Sequence, residues 1–155
     1  MSDKQEEKKE RLDRELIELL NELRVVLPGV QVLFAFMLTV PFTNQFSKIT
    51  NEQRLLFFAS FLLTTAATAL LIAPSAYHRL RWRQRDKEQM LRTANRLSIG
   101  GLVLLTFALV GVVFLVTDLL FHAAAAATVT AAVGVFFAWF WYGLPLLRRL
   151  QDPDY

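Results

Sequence analysis

With 155 residues, 54% of them apolar and none of them cysteine, the chain is too short for two ordinary domains and excludes disulfides, thiol catalysis and thiolate metal sites. Seventeen Lys and Arg against fourteen Asp and Glu leave a net charge of +3. A basic balance raises nucleic acid as a partner, but the basic residues here abut long apolar stretches. Anionic lipid headgroups are the nearer counter-charge, at about 1 kcal/mol per basic residue, and no nucleic acid is expected.

The first 24 residues hold eight acids and no continuous apolar core, so no cleavable signal is visible and the first apolar span is expected to direct insertion. Up to Arg11 this segment is charged. From Leu12 the residues Leu12, Leu16, Leu19, Leu20, Leu23 and Leu27 recur at three- and four-residue steps, with Glu15, Glu18 and Glu22 on the other side. That is the pattern of an amphipathic helix. Its polar face is acidic where membrane-surface helices are usually basic, so lipid, the Arg-rich connection and a protein partner compete as its docking surface. Pro28 and Gly29 follow, and proline removes a helical hydrogen bond while its ring clashes with the preceding turn; a bend is expected there.

Four stretches then carry no Asp, Glu, Lys or Arg: Val25 to Ser47, Leu55 to His78, Leu97 to Thr117 and Leu119 to Leu147. A hydrocarbon core of about 30 Å needs roughly 20 apolar residues at helical rise, and unpaired backbone groups are too costly in lipid for anything but helices. The expected fold is all-α: a polytopic membrane protein of four transmembrane helices preceded by an amphipathic cytoplasmic helix. Its segments are a charged N-terminal part at 1–24, a four-helix domain at 25–149 with spans near 26–46, 55–77, 97–117 and 123–147, a basic hairpin at 78–96, and a tail at 150–155.

Charge orients the threading. Six Lys and Arg precede the first span, two lie in the first connection, seven in the second, none in the third and two in the tail. Placing both termini in the cytoplasm puts fifteen of the seventeen inside, as the positive-inside rule favours. The bacterial cytoplasmic (inner) membrane is the expected location. Tyr77, Trp82, Trp139, Trp141 and Tyr142 are placed as interfacial aromatics at inner ends. In the second connection, Arg79, Arg81, Arg83 and Arg85 are the candidates for lipid headgroups, and Glu88 and Arg92 are spaced for an i,i+4 pair.

Polar residues within the spans offer two readings. Gln31, Thr39 and Thr43 with Ala35, and Ser60, Thr64 and Thr68, fall at four-residue steps and form candidate polar stripes. Together with Gly100, Gly101, Gly111 and the alanines of the fourth span, they suit close helix packing; in an assembly of several copies they could instead line a path. A second candidate cluster gathers Glu22, Arg24, Gln31, Ser75, His78, Asn95 and Arg96 at inner span ends, either as a polar vestibule or as separate interface anchors.

No acid lies inside a span, whereas a proton-coupled exchanger needs a carboxylate at depth to titrate. Asp118 at the outer boundary is expected to cap a helix or meet water. His122 and His78 stand alone, and a metal site needs several convergent ligands. No glycine-rich phosphate loop, paired-histidine motif or G-x-S-x-G turn is present, so neither catalysis nor a cofactor is expected.

The run from Glu15 to Phe36, with Leu27-Pro28-Gly29-Val30-Gln31 as its most specific part, is joined by Ala73 to Arg79 and by Asn95-Arg96. On these residues the chain resembles, from about Leu12 to Arg149, a group of small four-span bacterial membrane proteins, mostly actinobacterial. Members of that group have no assigned function and are sometimes named sodium:proton antiporters. Two functions are therefore carried forward: a homo-oligomeric channel or transporter-like component, and a non-transporting membrane adaptor that binds anionic lipid or a protein through its acidic helix and basic hairpin.

Overall fold

Glu, Lys, Arg and Leu, all strong helix formers, dominate the start of the chain and begin α1, which runs from Asp3 to Thr39. A computed structural model describes residues 3–80, 87–144 and 146–147. Within them α2 covers Asn51–Leu80, α3 Lys87–Leu120 and α4 Ala123–Phe137, and a π-helical segment, Ala138–Gly143, continues α4. Among the described residues all regular structure is helical.

At Pro28, where a bend is expected, α1 passes through the proline as one continuous helix. Leu16, Leu23, Val30 and Met37 are buried at seven-residue intervals on both sides of the proline, so a single packed seam runs along the helix. Proline in a helix interior costs about 3 kcal/mol, and burying several side chains of this size, each contributing about 1.5–3 kcal/mol, outweighs it.

The helix ends sooner than expected. Pro41 has no N–H for the helical ladder and disfavours α geometry at the residue before it, and the chain tightens into a 3-10 turn at Val40–Phe42, with Thr43 extended behind it. A second such turn covers Phe46–Lys48. The apolar part of this helix thus closes at Phe42 rather than near 46, leaving roughly 18 residues, or about 27 Å of helical rise.

A reciprocal cap starts α2. The Thr50 N–H donates to Gln53 Oε1 at 3.0 Å and the Gln53 N–H donates to Thr50 Oγ1 at 3.2 Å, which satisfies two of the donors that a helix start leaves open. Between α3 and α4 stand only Phe121 and His122; His122 is extended, and its carbonyl accepts from the Ala126 N–H at 3.0 Å. So short a connection forces α3 and α4 to run antiparallel. The widened π turns at Ala138–Gly143 precede Pro145, which has no N–H to offer the Trp141 carbonyl four residues back.

Four helical stretches are long and apolar enough to cross a membrane: Glu6–Phe42, Asn51–Tyr77, Glu88–Leu120 and Ala123–Gly143. The chain divides into two compact units, one of Met1–Lys48 with Phe61–Leu105, the other of Ile49–Ser60 with Thr106–Tyr155.

In the first unit, Thr64, Ala67, Leu71 and Pro74 of α2 and Met90, Ala94, Ser98, Gly101 and Leu105 of α3 are buried with the α1 seam. Their three- and four-residue alternation is the spacing of knobs-into-holes helix packing. Phe34 stacks on Phe61 with ring centroids 5.2 Å apart. A Cβ at Gly101 would stand 2.8 Å from Leu71 Cγ, so the missing side chain is what lets the helices approach there.

In the second unit, Phe57, Ser60, Ala108, Leu115, Thr117 and Ala126 are buried, and Gly111 lies against Ser60. Thr106 and Tyr142 meet hydroxyl to hydroxyl at 3.3 Å. The half-buried Tyr142 is thereby tied to α3.

Candidate functional site

Three polar settings carry the side chains of interest. The first is the charged half of α1. Lys8 Nζ donates to Glu88 Oε2 of α3 at 2.8 Å, and Arg92 Nη2 donates to Glu88 Oε1 at 2.8 Å. Both salt bridges are solvent-facing, the Lys8 and Glu88 side chains being 64% and 42% exposed. The Lys8 ammonium first, by hydrogen bond and charge, and then the Arg92 guanidinium hold the Glu88 carboxyl below the usual glutamate range.

In this link the base is on α1 and the acid on α3. The apolar seam explains the register, since burial of Leu16 and Leu23 on α1 and of Met90 and Ala94 on α3 sets which residues face each other before any charge is matched. Arg11 pairs with Glu15 within α1 at 2.8 Å.

The second setting is a groove of about 290 Å³ lined by Leu20, Asn21, Arg24 and Leu27 of α1 and Ser75 of α2. Of the seven residues of the inner cluster, it brings together Arg24 and Ser75. Glu22, Gln31, Asn95 and Arg96 are exposed on their helices and do not line it. His78 and Arg79 belong to α2, but their side chains lie outside the described residues, as do Arg81, Arg83 and Arg85 altogether.

The third lies where α2 begins. The Gln53 amide that caps α2 through its oxygen donates through Nε2 to Asp118 Oδ2 at 2.8 Å. Asp118 thus takes a side-chain donor 65 residues away instead of capping a helix. Gln53 was missed in the sequence reading; its T-x-x-Q capping spacing with Thr50 was legible, its second bond was not.

The two stripes part company. Gln31 and Thr39 are exposed on α1, and the Thr39 hydroxyl donates to the Phe36 carbonyl at 2.8 Å. Thr43 leaves the stripe because the helix has ended; its hydroxyl donates to the Val40 carbonyl at 2.7 Å. On α2 Ser60 and Thr64 are buried, Thr64 donates to Met37 Sδ at 3.5 Å, and Thr68 donates to the Thr64 carbonyl at 2.8 Å. Because Met37 occupies the seam face of α1, Thr64 meets the side opposite the Gln31 stripe. Ser60 and Thr64 of α2 are therefore engaged in packing.

A model of a family of unknown function, DUF6328, matches residues 5–145. The chain belongs to DUF6328. The match covers nearly the residues, Leu12 to Arg149, over which the sequence resembles an uncharacterised family, and DUF6328 is itself a family of unknown function. Neither a curated protein nor a solved structure matches this DUF6328 chain.

Proposed function

We propose that this DUF6328 member is an integral protein of the bacterial cytoplasmic membrane, with both termini inside, that works as a non-transporting adaptor. Its apolar exposure supports the membrane reading. Phe36, Phe58, Phe107, Leu120 and Val135 are all more than half exposed, and helices whose outer faces are as apolar as their seams have lipid as their solvent.

The observation that carries the adaptor reading is the continuity of α1. One helix joins a charged half to an apolar half, Lys8 fastens the charged half to Glu88, and Glu7, Glu10, Glu18 and Glu22 remain exposed along it. This is a charged helical rod held at the membrane surface, suited to a basic protein partner, while Arg79, Arg81, Arg83 and Arg85 meet anionic headgroups. Transport is disfavoured by the burial of Ser60 and Thr64 in helix packing.

Reversing Glu10, Glu18 and Glu22 to Lys should leave membrane insertion intact and abolish co-purification of partner proteins. Recovery of the same partners by the variant would remove the adaptor reading. The exposure of Gln31, Ala35 and Thr39 on one face of α1 favours a second reading, a homo-oligomeric channel with that face turned inward. It requires ion flux in proteoliposomes that Gln31→Leu and Thr39→Leu abolish, and a wild type without flux disposes of it.

A further inference from the structure

We infer that the groove between Leu20, Asn21, Arg24 and Leu27 of α1 and Ser75 of α2 is a binding site for the phosphodiester of one anionic glycerophospholipid. It rests on the membrane reading above. Among the described residues the lining offers three donors, the Arg24 guanidinium, the Asn21 amide and the Ser75 hydroxyl, and no carboxylate.

Among the described residues none of the three is used elsewhere. Neither Arg24 nor Asn21 has a hydrogen-bond or ion-pair partner among the described residues. In the helices the hydroxyls of Thr65, Thr68, Thr93 and Ser98 each donate to the carbonyl four residues back; Ser75, beside Pro74, makes no such bond and lines the groove instead. Free donors without a counter-acid suit a ligand that brings several acceptor oxygens and negative charge, and a planar guanidinium is well matched to phosphate oxygens.

Position selects lipid over free phosphate. Arg24 is the last charged residue before the charge-free stretch of α1, and Ser75 lies four residues before Arg79, where the stretch of α2 ends. The groove therefore stands at the headgroup level of the inner leaflet, where basic pockets between helices take lipid headgroups. Leu20 and Leu27, one helical turn to either side of Arg24, give the adjoining acyl chain an apolar wall. The described lining residues include no carboxylate for a choline or ethanolamine ammonium, which favours an anionic headgroup such as phosphatidylglycerol.

The test is native mass spectrometry of the full chain released from nanodiscs of mixed phosphatidylglycerol and phosphatidylcholine, with affinity measured by lipid titration. The wild type should retain one phosphatidylglycerol. Arg24→Gln should weaken retention about tenfold, as loss of one charge-assisted contact does; Ser75→Ala, which removes only a hydroxyl, should weaken it severalfold, and Arg14→Gln, outside the groove, should leave it unchanged. Equal losses for Arg14→Gln and Arg24→Gln would show diffuse charge attraction and overturn the site. Full displacement by millimolar inorganic phosphate would overturn the lipid as occupant. Unchanged retention by Arg24→Gln and Ser75→Ala in normally inserted protein refutes the groove alone, whereas a wild type that is not membrane-bound refutes the reading beneath it.

Discussion

Gly29, Gly101 and Gly134 are the same residue in three different environments. A Cβ at Gly101 would meet Leu71 Cγ at 2.8 Å, Leu71 Cδ2 at 2.9 Å and the Ala67 carbonyl at 3.3 Å, while one at Gly29 or Gly134 would meet nothing within 4 Å. Gly101→Ala should therefore destabilise the protein by about 1–3 kcal/mol through overpacking. Gly29→Ala and Gly134→Ala should be neutral or stabilise by up to about 1 kcal/mol through helix propensity. Chemical denaturation in detergent, followed by circular dichroism, checks all three; equal effects would contradict the packing. Composition marks every one of these glycines as small, and only the neighbour decides which of them matters. Gln53 teaches the same at a polar position: its cap to Thr50 is a local spacing, but its bond to Asp118 depends on two helices meeting.

At the scale of the element, α1 shows where local rules yield. Pro28 and Gly29 are the strongest breaker signal in the chain, yet the helix continues because Leu16, Leu23, Val30 and Met37 share one buried seam. The leucine periodicity that reveals an amphipathic helix before Pro28 continues into the apolar half, where uniform hydrophobicity hides it. The Lys8 to Glu88 link fastens the charged half and should matter most for local opening, since exposed pairs contribute little to global stability and are screened by salt. Lys8→Glu should speed hydrogen exchange in residues 6–15, and the double exchange Lys8→Glu with Glu88→Lys should restore protection. Glu88 has a lowered folded pKa. Its contribution is thus fully present above the ordinary glutamate value and is lost as pH falls through the lowered one. Glu88→Gln should abolish that acid sensitivity of exchange, and a persistent acid transition in the variant would assign it to another group.

For the molecule as a whole, the prediction concerns orientation. A single cysteine placed in 81–86 should be labelled only from the cytoplasmic side, and one placed at Asn44 or His122 only from outside. The reverse pattern would undo both the adaptor reading and the inner-leaflet position of the lipid groove. Four apolar helices were legible from charge-free stretches alone, because transfer into hydrocarbon depends on local composition summed over about 20 residues. The candidate site was legible only in pieces: Arg24 and Ser75 were both in the inner cluster, but Leu20, Asn21 and Leu27 were not, and Glu22, Asn95 and Arg96 do not join them.

By itself, the sequence determined that this chain is helical, with four segments apolar enough to cross a membrane, since length and hydropathy do not depend on neighbours. Tertiary structure alone decided which face of each helix is buried, that α1 runs unbroken through Pro28, and which donors stand free beside Arg24. A helix apolar on every side has no moment to show which face packs inward; that choice is made by the fit of side chains between helices, and glycines, hydroxyls and charges find their partners only after it.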